Sequence, residues 1–245
     1  MKRILFIISV ALLLGCNSDG TENVNANFSE NGQGGSLARF VLTNNYLYTV
    51  DNFGLNVFNL SDPEQPVKVN SVPVGFDIET LFNYKEYLYI GSQNGMFIYS
   101  ISNPELPTYL SDVQHFTACD PVVANNTHAF VTLYADVGCG NTINILETYD
   151  VTDVLNPVLI STRNLTRPIG MALYGNYLFV CDDEVKIFDI SDAQNSILVN
   201  AISRNAFDAI IQNNLLILIG ENGLFQYELN PNNIEDISYL SMVNF

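Results

Sequence analysis

Tryptophan is absent, histidine occurs twice, and nine lysines and arginines stand against 26 acids. The resulting net charge of −17 excludes a nucleic-acid binder, because neutralising phosphates needs clustered basic residues. It also opposes a peripheral grip on anionic lipid. The missing tryptophan removes a side chain often used to stack on sugars. No Gly-x-Ser-x-Gly, His-Glu-x-x-His or phosphate-loop motif occurs, and no Asp-x-Asp-x-Asp-Gly calcium loop. Carboxylates are paired only by abundance, so a glycosidase reading has no distinctive support. No stretch carries a convincing helical period.

What is present begins with an address. Met1, Lys2 and Arg3 precede the apolar run ILFIISVALLLG and then Cys16. This is the charged and apolar pair of regions of an export signal. The run is shorter than the roughly 20 residues that a spanning helix needs. Leu13-Leu14-Gly15-Cys16 resembles the lipobox of bacterial lipoproteins. The resemblance implies cleavage before Cys16, a diacylglycerol on its thiol, and an acyl chain such as palmitate on the new amine. Several chains hold a protein firmly, whereas one alone is marginal. Residue 17 is Asn rather than Asp, which permits sorting to the outer membrane. The expected location is therefore the bacterial cell envelope, lipid-anchored, at the outer membrane. Losing Lys2 and Arg3 with the signal makes the mature chain two charges more negative, which keeps an exported domain soluble. Residues 1–15 are the expected signal peptide. Residues 16–35 are the lipidated Cys and a polar, Gly- and Asn-rich tether.

The remainder, 36–245, writes one hairpin five times. The plainest copies are YLYTVDNFGLNVFNLSDPEQP from Tyr46 and YLYIGSQNGMFIYSISNPELP from Tyr87. The third is HAFVTLY from His128, rejoined after an insertion by INILETYDVTDVLNP. The fourth is YLFVCDDEVKIFDISD from Tyr177, and the fifth LLILIGENGLFQYELNP from Leu215. Tyr46, Tyr87 and His128 are spaced 41 residues apart; the next steps are 49 and 38. A period near forty made of strands and turns predicts propeller blades. The segment before each hairpin supplies a first strand, and the segment after Ser-Asp-Pro a fourth. Inner strands are apolar throughout, as strands covered on both faces are. These units, with SDPEQP, SNPELP, TDVLNP and SDAQN, resemble LVIVD repeats, a β-propeller family common in exported bacterial proteins. The resemblance implies a fold and a location, not a reaction. The expected fold is all-β, a propeller of five four-stranded blades; a six- or seven-bladed ring closed by dimerisation or a further blade is the alternative. The fifth unit departs most, since Asn230-Pro231 lacks a preceding Ser-Asp.

Alternating strand directions put the second-to-third-strand turns and the blade-to-blade connections on one face. Cys119 and Cys139 both fall there, and export to an oxidising compartment predicts a disulfide between them. A metal pair with His115 lacks CxxC or HxxH spacing. Cys181, in an apolar strand, reads as a buried core thiol. His128 stands where other copies have Tyr and reads as structural. Asp182-Asp183-Glu184 reads as a solvated turn. The blade-three insertion enlarges the same face, and long loops on a rigid scaffold carry function. Residues at or near inner-strand starts ring the channel mouth: Arg39, Glu79, Asp120, Arg167 and Asp208, with His115 close by. An arginine there can fork onto a ligand carboxylate; mutual neutralisation of these arginines and acids is the alternative role.

Without an organised nucleophile, base or metal set, the sequence favours a non-enzymatic binding domain. Its partner is expected to be a protein, peptide or glycan at the envelope, with no cofactor. The alternative is a propeller hydrolase or lyase acting on glycans through acids at the channel mouth.

Overall fold

The computed structural model describes residues 35–114, 121–134 and 143–245. The expected signal, and the expected tether apart from its last residue, Gly35, lie outside them. The chain folds as a five-bladed propeller of antiparallel four-stranded sheets, each with its strands in sequence order. Blade one holds β1 (Phe40–Thr43), β2 (Tyr46–Val50), β3 (Gly54–Asn59) and β4 (Val67–Pro73). Blade two holds β5 (Ile78–Tyr84), β6 (Tyr87–Ser92), β7 (Gly95–Ser100) and β8 (Thr108–Gln114). Blade three holds β9 (Val122–Ala124), β10 (His128–Leu133), β11 (Ile145–Asp150) and β12 (Val158–Asn164). Blade four holds β13 (Met171–Tyr174), β14 (Tyr177–Cys181), β15 (Val185–Asp189) and β16 (Ile197–Ile202). Blade five holds β17 (Asp208–Gln212), β18 (Leu215–Gly220), β19 (Gly223–Leu229) and β20 (Ile237–Asn244). The helical content among the described residues is one 3-10 turn, Ala193–Asn195.

Local chemistry fixes each hairpin. The first turns of blades one, four and five run through left-handed backbone: Asn44 and Asn45 have φ of 50° and 61°, Gly175 56°, Asn213 55°. Asn and Gly enter that region cheaply. Lys85 holds the same place in blade two with φ 53°. After the third strand, an Asx or Ser acceptor arrests the chain. Asn59 Oδ1 accepts from Ser61 N, Ser100 Oγ from Ser102 N, Asp150 Oδ1 from Thr152 N and Asp189 Oδ1 from Ser191 N. A turn then closes through Asp62, Asn103, Asp153 and Asp192, whose carbonyls accept from the residue three further on. The fifth unit makes the same turn with Asn230, which receives Asn233 N on its carbonyl and Asn232 N on its side chain. An amide oxygen stands there in place of a carboxylate, and the turn keeps its hydrogen bonds without the Ser-Asp pair.

Each outer strand carries one extra residue at the same point: Val69, Leu110, Ile160, Val199 and Leu240. Such bulges increase the twist and blunt an exposed edge. In blades one, two and four, the residue after the bulge sews the blade to its successor. Asn70 Nδ2 donates to Glu105 O, Ser111 Oγ to Val154 O and Asn200 Nδ2 to Ile234 O.

The apolar layers lie between blades. One buried cluster joins blades two, three and four through Tyr89, Phe130, Met171 and Phe188. A second joins blades four and five through Phe179, Ile187, Leu216 and Leu218. A third joins blades one and two through Tyr48, Leu55, Leu81 and Leu88. In β6, β10 and β14 every residue after the first is buried, as packing on both faces requires. The junction of blades five and one differs. In β18, half-buried and buried residues alternate, and in β1 Phe40 and Leu42 are exposed. No cluster spans this junction among the described residues. Ser241, placed like Ser111, donates within its own blade to Gln226 Oε1. A strap of residues 35–38 holds the seam instead. Ser36 Oγ donates to Asp208 Oδ1 at 3.4 Å and accepts from Met171 N at 2.7 Å, while Ala38 O accepts from Leu81 N at 2.8 Å.

Candidate ligand face

The second-to-third-strand turns and the blade-to-blade connections do share a face. In blade one, Phe53 O in the turn accepts Val74 N and Gly75 N from the connection, at 3.1 and 3.3 Å. Four of the expected mouth residues are described, and they do not form one constellation.

Arg39 is exposed just before β1, and its Nη2 donates to Asn52 Oδ1 at 3.1 Å and Ile78 O at 2.9 Å. It ties two loops together rather than standing free. Glu79, half-buried in β5, accepts from Gln93 Nε2 at 3.1 Å. Arg167 is exposed ahead of β13, and its backbone N donates to Asp182. Asp208 is 7% exposed at the start of β17. Burial raises its pKa to about 6, against the opposing pull of hydrogen bonds from Ala209 N and from Ser36 and Leu37. A carboxyl near 6 has the titration of a general acid. Its surroundings are backbone, however. A Cβ on Gly35 would lie 2.1 Å from Asp208 Oδ2, and one on Gly170 2.5 Å from Oδ1. The chain fills the space a substrate would take, so Asp208 is a fastening inside the ring.

The acidic turn also needs correction. Asp182 is buried at 5% exposure and is not solvated. Its carboxylate accepts Thr166 N at 3.0 and 3.1 Å, Arg167 N, and Lys186 Nζ at 2.6 Å. Those donors pin the connection into blade four. Asp183 faces outward, and Lys186 holds its carboxyl below the ordinary range.

Cys181 is fully buried and burial pushes its thiol well up, so it is an inert core side chain. His128 is half-buried; its Nδ1 meets Thr127 Oγ1 at 2.9 Å and its ring lies 6.3 Å from Phe130. Cys16, His115, Cys119, Asp120 and Cys139 lie outside the described residues. No group of three potential metal ligands occurs among the described residues.

Sequence reasoning passed over Phe53 and Phe76. They are 62% and 71% exposed on this face, and their rings meet edge to face at 6.0 Å and 85°. The available signal was an aromatic in a turn, DNFG, where other copies have the polar QNG and ENG.

Comparison with known proteins follows this geometry. The LVIVD repeat model matches residues 84–114 and 170–202, within blades two and four. No curated protein sequence matches the chain. Among solved structures, a Lactobacillus plantarum protein aligns at 11% identity and a TM-score of 0.66, over 81% of this chain and 67% of that one. The periplasmic gluconolactonase of Pseudomonas aeruginosa aligns at 12% identity and 0.62, over 82% and 67%. A functionally unknown Desulfotomaculum acetoxidans protein aligns at 13% and 0.54, over 82% and 80%. At such identities the likeness is one of fold. The chain is thus a carrier of LVIVD repeats, folded as a five-bladed β-propeller.

Proposed function

We propose that this protein is a lipid-anchored component of the bacterial cell envelope, and that its propeller is a non-enzymatic binding module. The observation that carries the binding role is the construction of the ligand face. Its polar groups, Arg39, Asp182 and Asp208, are spent on holding loops and strap in place. The loops so held present side chains outward in a fixed arrangement, which lowers the entropy cost of association. The anchor reading rests on the lipobox-like run ending at Cys16; a Cys119–Cys139 disulfide belongs to the same reading, because export to an oxidising compartment favours it.

Two measurements test this reading. Cys16→Ala is expected to move the protein from the detergent phase to the aqueous phase while its melting is unchanged, because the propeller begins about twenty residues later. Full retention in the detergent phase overturns the anchor. The chain from Asn17 onward, immobilised and exposed to envelope extract, is expected to capture a protein, peptide or glycan by the ligand face. The enzymatic alternative is motivated by the fold shared with a gluconolactonase. Turnover of a lactone or glycan by the purified chain would establish it instead.

A further inference from the structure

Phe53 and Phe76 are not used by the packing of the propeller. Single exposed apolar side chains are ordinary. Two phenylalanines in mutual contact, each more than half exposed, on loops fastened at several points, are a prepared surface. The fastening is specific. Asp51 Oδ1 accepts Phe53 N at 2.9 Å and Gly54 N at 3.0 Å, setting the turn under the first ring. Phe53 O receives Val74 N and Gly75 N, setting the connection under the second. Arg39 joins Asn52 Oδ1 to Ile78 O, and Ile78 N donates to Asn52 O at 3.4 Å. Phe97 of blade two closes the floor: a Cβ on Gly75 would lie 3.3 Å from its ring.

The rings sit in an acidic setting. Asp51 and Asp77 belong to the same two loops, and hydrogen bonds from Phe53 N and Asn56 hold Asp51 ionised below the ordinary range. Of the nearby cations, Arg39 has its guanidinium directed at Asn52 and Ile78, and Lys68 of β4 acts on Asp51, lowering it further. The chain as a whole carries −17. Aromatic faces attract ammonium and guanidinium groups, and flanking carboxylates strengthen that attraction. An acidic or neutral partner gains nothing here from charge.

We propose that the Phe53–Phe76 pair anchors a basic protein segment, which sets an arginine or lysine against the rings and an aliphatic neighbour beside them. The proposal rests on the binding-module reading and gives that module a site and a partner class. The protein has no tryptophan, so a peptide of alternating Arg and Leu with one Trp can be followed by its own emission. The chain from Asn17 onward is expected to bind it at low salt, more weakly as salt rises. Phe53→Ala with Phe76→Ala is expected to weaken binding about tenfold or more, since aromatic anchors dominate such contacts. Melting should be unchanged, because both rings are exposed. All carboxylates remain in that variant, so diffuse attraction alone would leave its affinity intact. Absence of binding by the wild type, equal affinity in the double variant, or equal binding of a peptide with Gln for Arg overturns the proposal. Binding of an oligosaccharide or of phosphatidylcholine vesicles that depends on the two rings, with none of the peptide, overturns the partner class. If envelope capture persists in the double variant, the binding module stands and this site falls.

Discussion

Gly170→Val is expected to lower stability by about 3 kcal/mol, a fall in Tm of roughly 6–12 °C for a chain of this size. Gly170 lies where blades four and five meet. A Cβ there would stand 2.5 Å from Asp208 Oδ1, 2.6 Å from Phe207 O and 2.7 Å from Asp208 Cα. Two of those three atoms are backbone, so no rotamer change relieves them. Gly170 N also donates to Phe207 O at 3.0 Å, and its carbonyl accepts Cys181 N at 2.8 Å. Moving the segment away therefore breaks the bonds that align β13, β14 and β17. Native stability is typically about 5–15 kcal/mol, so a loss of this size is a large fraction of it. Gly175→Asn is the matched control. Gly175 has φ 56° with nothing within 4 Å of the added carbon, and Asn already fills the equivalent turns at Asn44 and Asn213. Its melting should stay near the wild type. Thermal unfolding followed by circular dichroism reads both; wild-type melting of Gly170→Val would refute the packing argument.

Stability should increase on acidification from pH 7.5 to pH 5, with Asp208 contributing about 1.5 kcal/mol. Burial raises this carboxyl from 3.8 to about 6 in the folded state. The folded chain therefore holds a proton that the unfolded chain has released. That contribution is complete below the unfolded value and is lost as pH rises through 6. Its full extent is about 3 kcal/mol, from 1.36 kcal/mol per unit. The carboxylates held by turns run the other way. Asp51, Asp150, Asp153, Asp183, Asp189 and Asp192 are lowered by hydrogen bonds or by Lys186. Their contributions begin to fade only as pH falls towards 3.8, so the interval from 5 to 7.5 belongs to Asp208. Relief of general acidic repulsion adds to the trend. Asp208→Asn separates the two, because a neutral amide cannot titrate. Urea unfolding at both pH values should show a smaller difference in the variant by about the stated amount. An identical difference in both proteins would mean that Asp208 titrates normally and is not buried in the ring.

The strands were legible because their signals are local. Apolar runs and Asp or Asn after the third strand recur at every blade, Asn or Gly stands in the first turns of all but blade two, and each acts within a few residues. His128 and Cys181 were also readable, one by its place in the repeat and the other by its apolar strand. Asp182 and Asp208 were misplaced because nothing in their immediate sequence separates a surface acid from a buried one. Their burial comes from distant backbone: Asp208 meets Ser36, 172 positions away, and Asp182 meets Thr166, 16 positions away. Arg39 was expected to meet a ligand carboxylate or the mouth acids because its actual partners, Asn52 and Ile78, lie in loops brought together only when blades one and two pack.

By itself, the sequence favoured five blades over a six- or seven-bladed ring, and it set the order of strands within each and the face on which the connections gather. Periodicity and turn chemistry act over short separations and need no knowledge of the whole. Only the tertiary structure decided how the ring is fastened and what it displays. Blades two to four bury both faces, but blades five and one meet through a strap, since Phe40 and Leu42 stay exposed and alternate residues of β18 are only half-buried. The Phe53–Phe76 pair likewise exists only because a turn and a connection 23 residues apart are hydrogen-bonded into one surface. Contacts of that kind depend on where loops arrive in space, which no local pattern encodes.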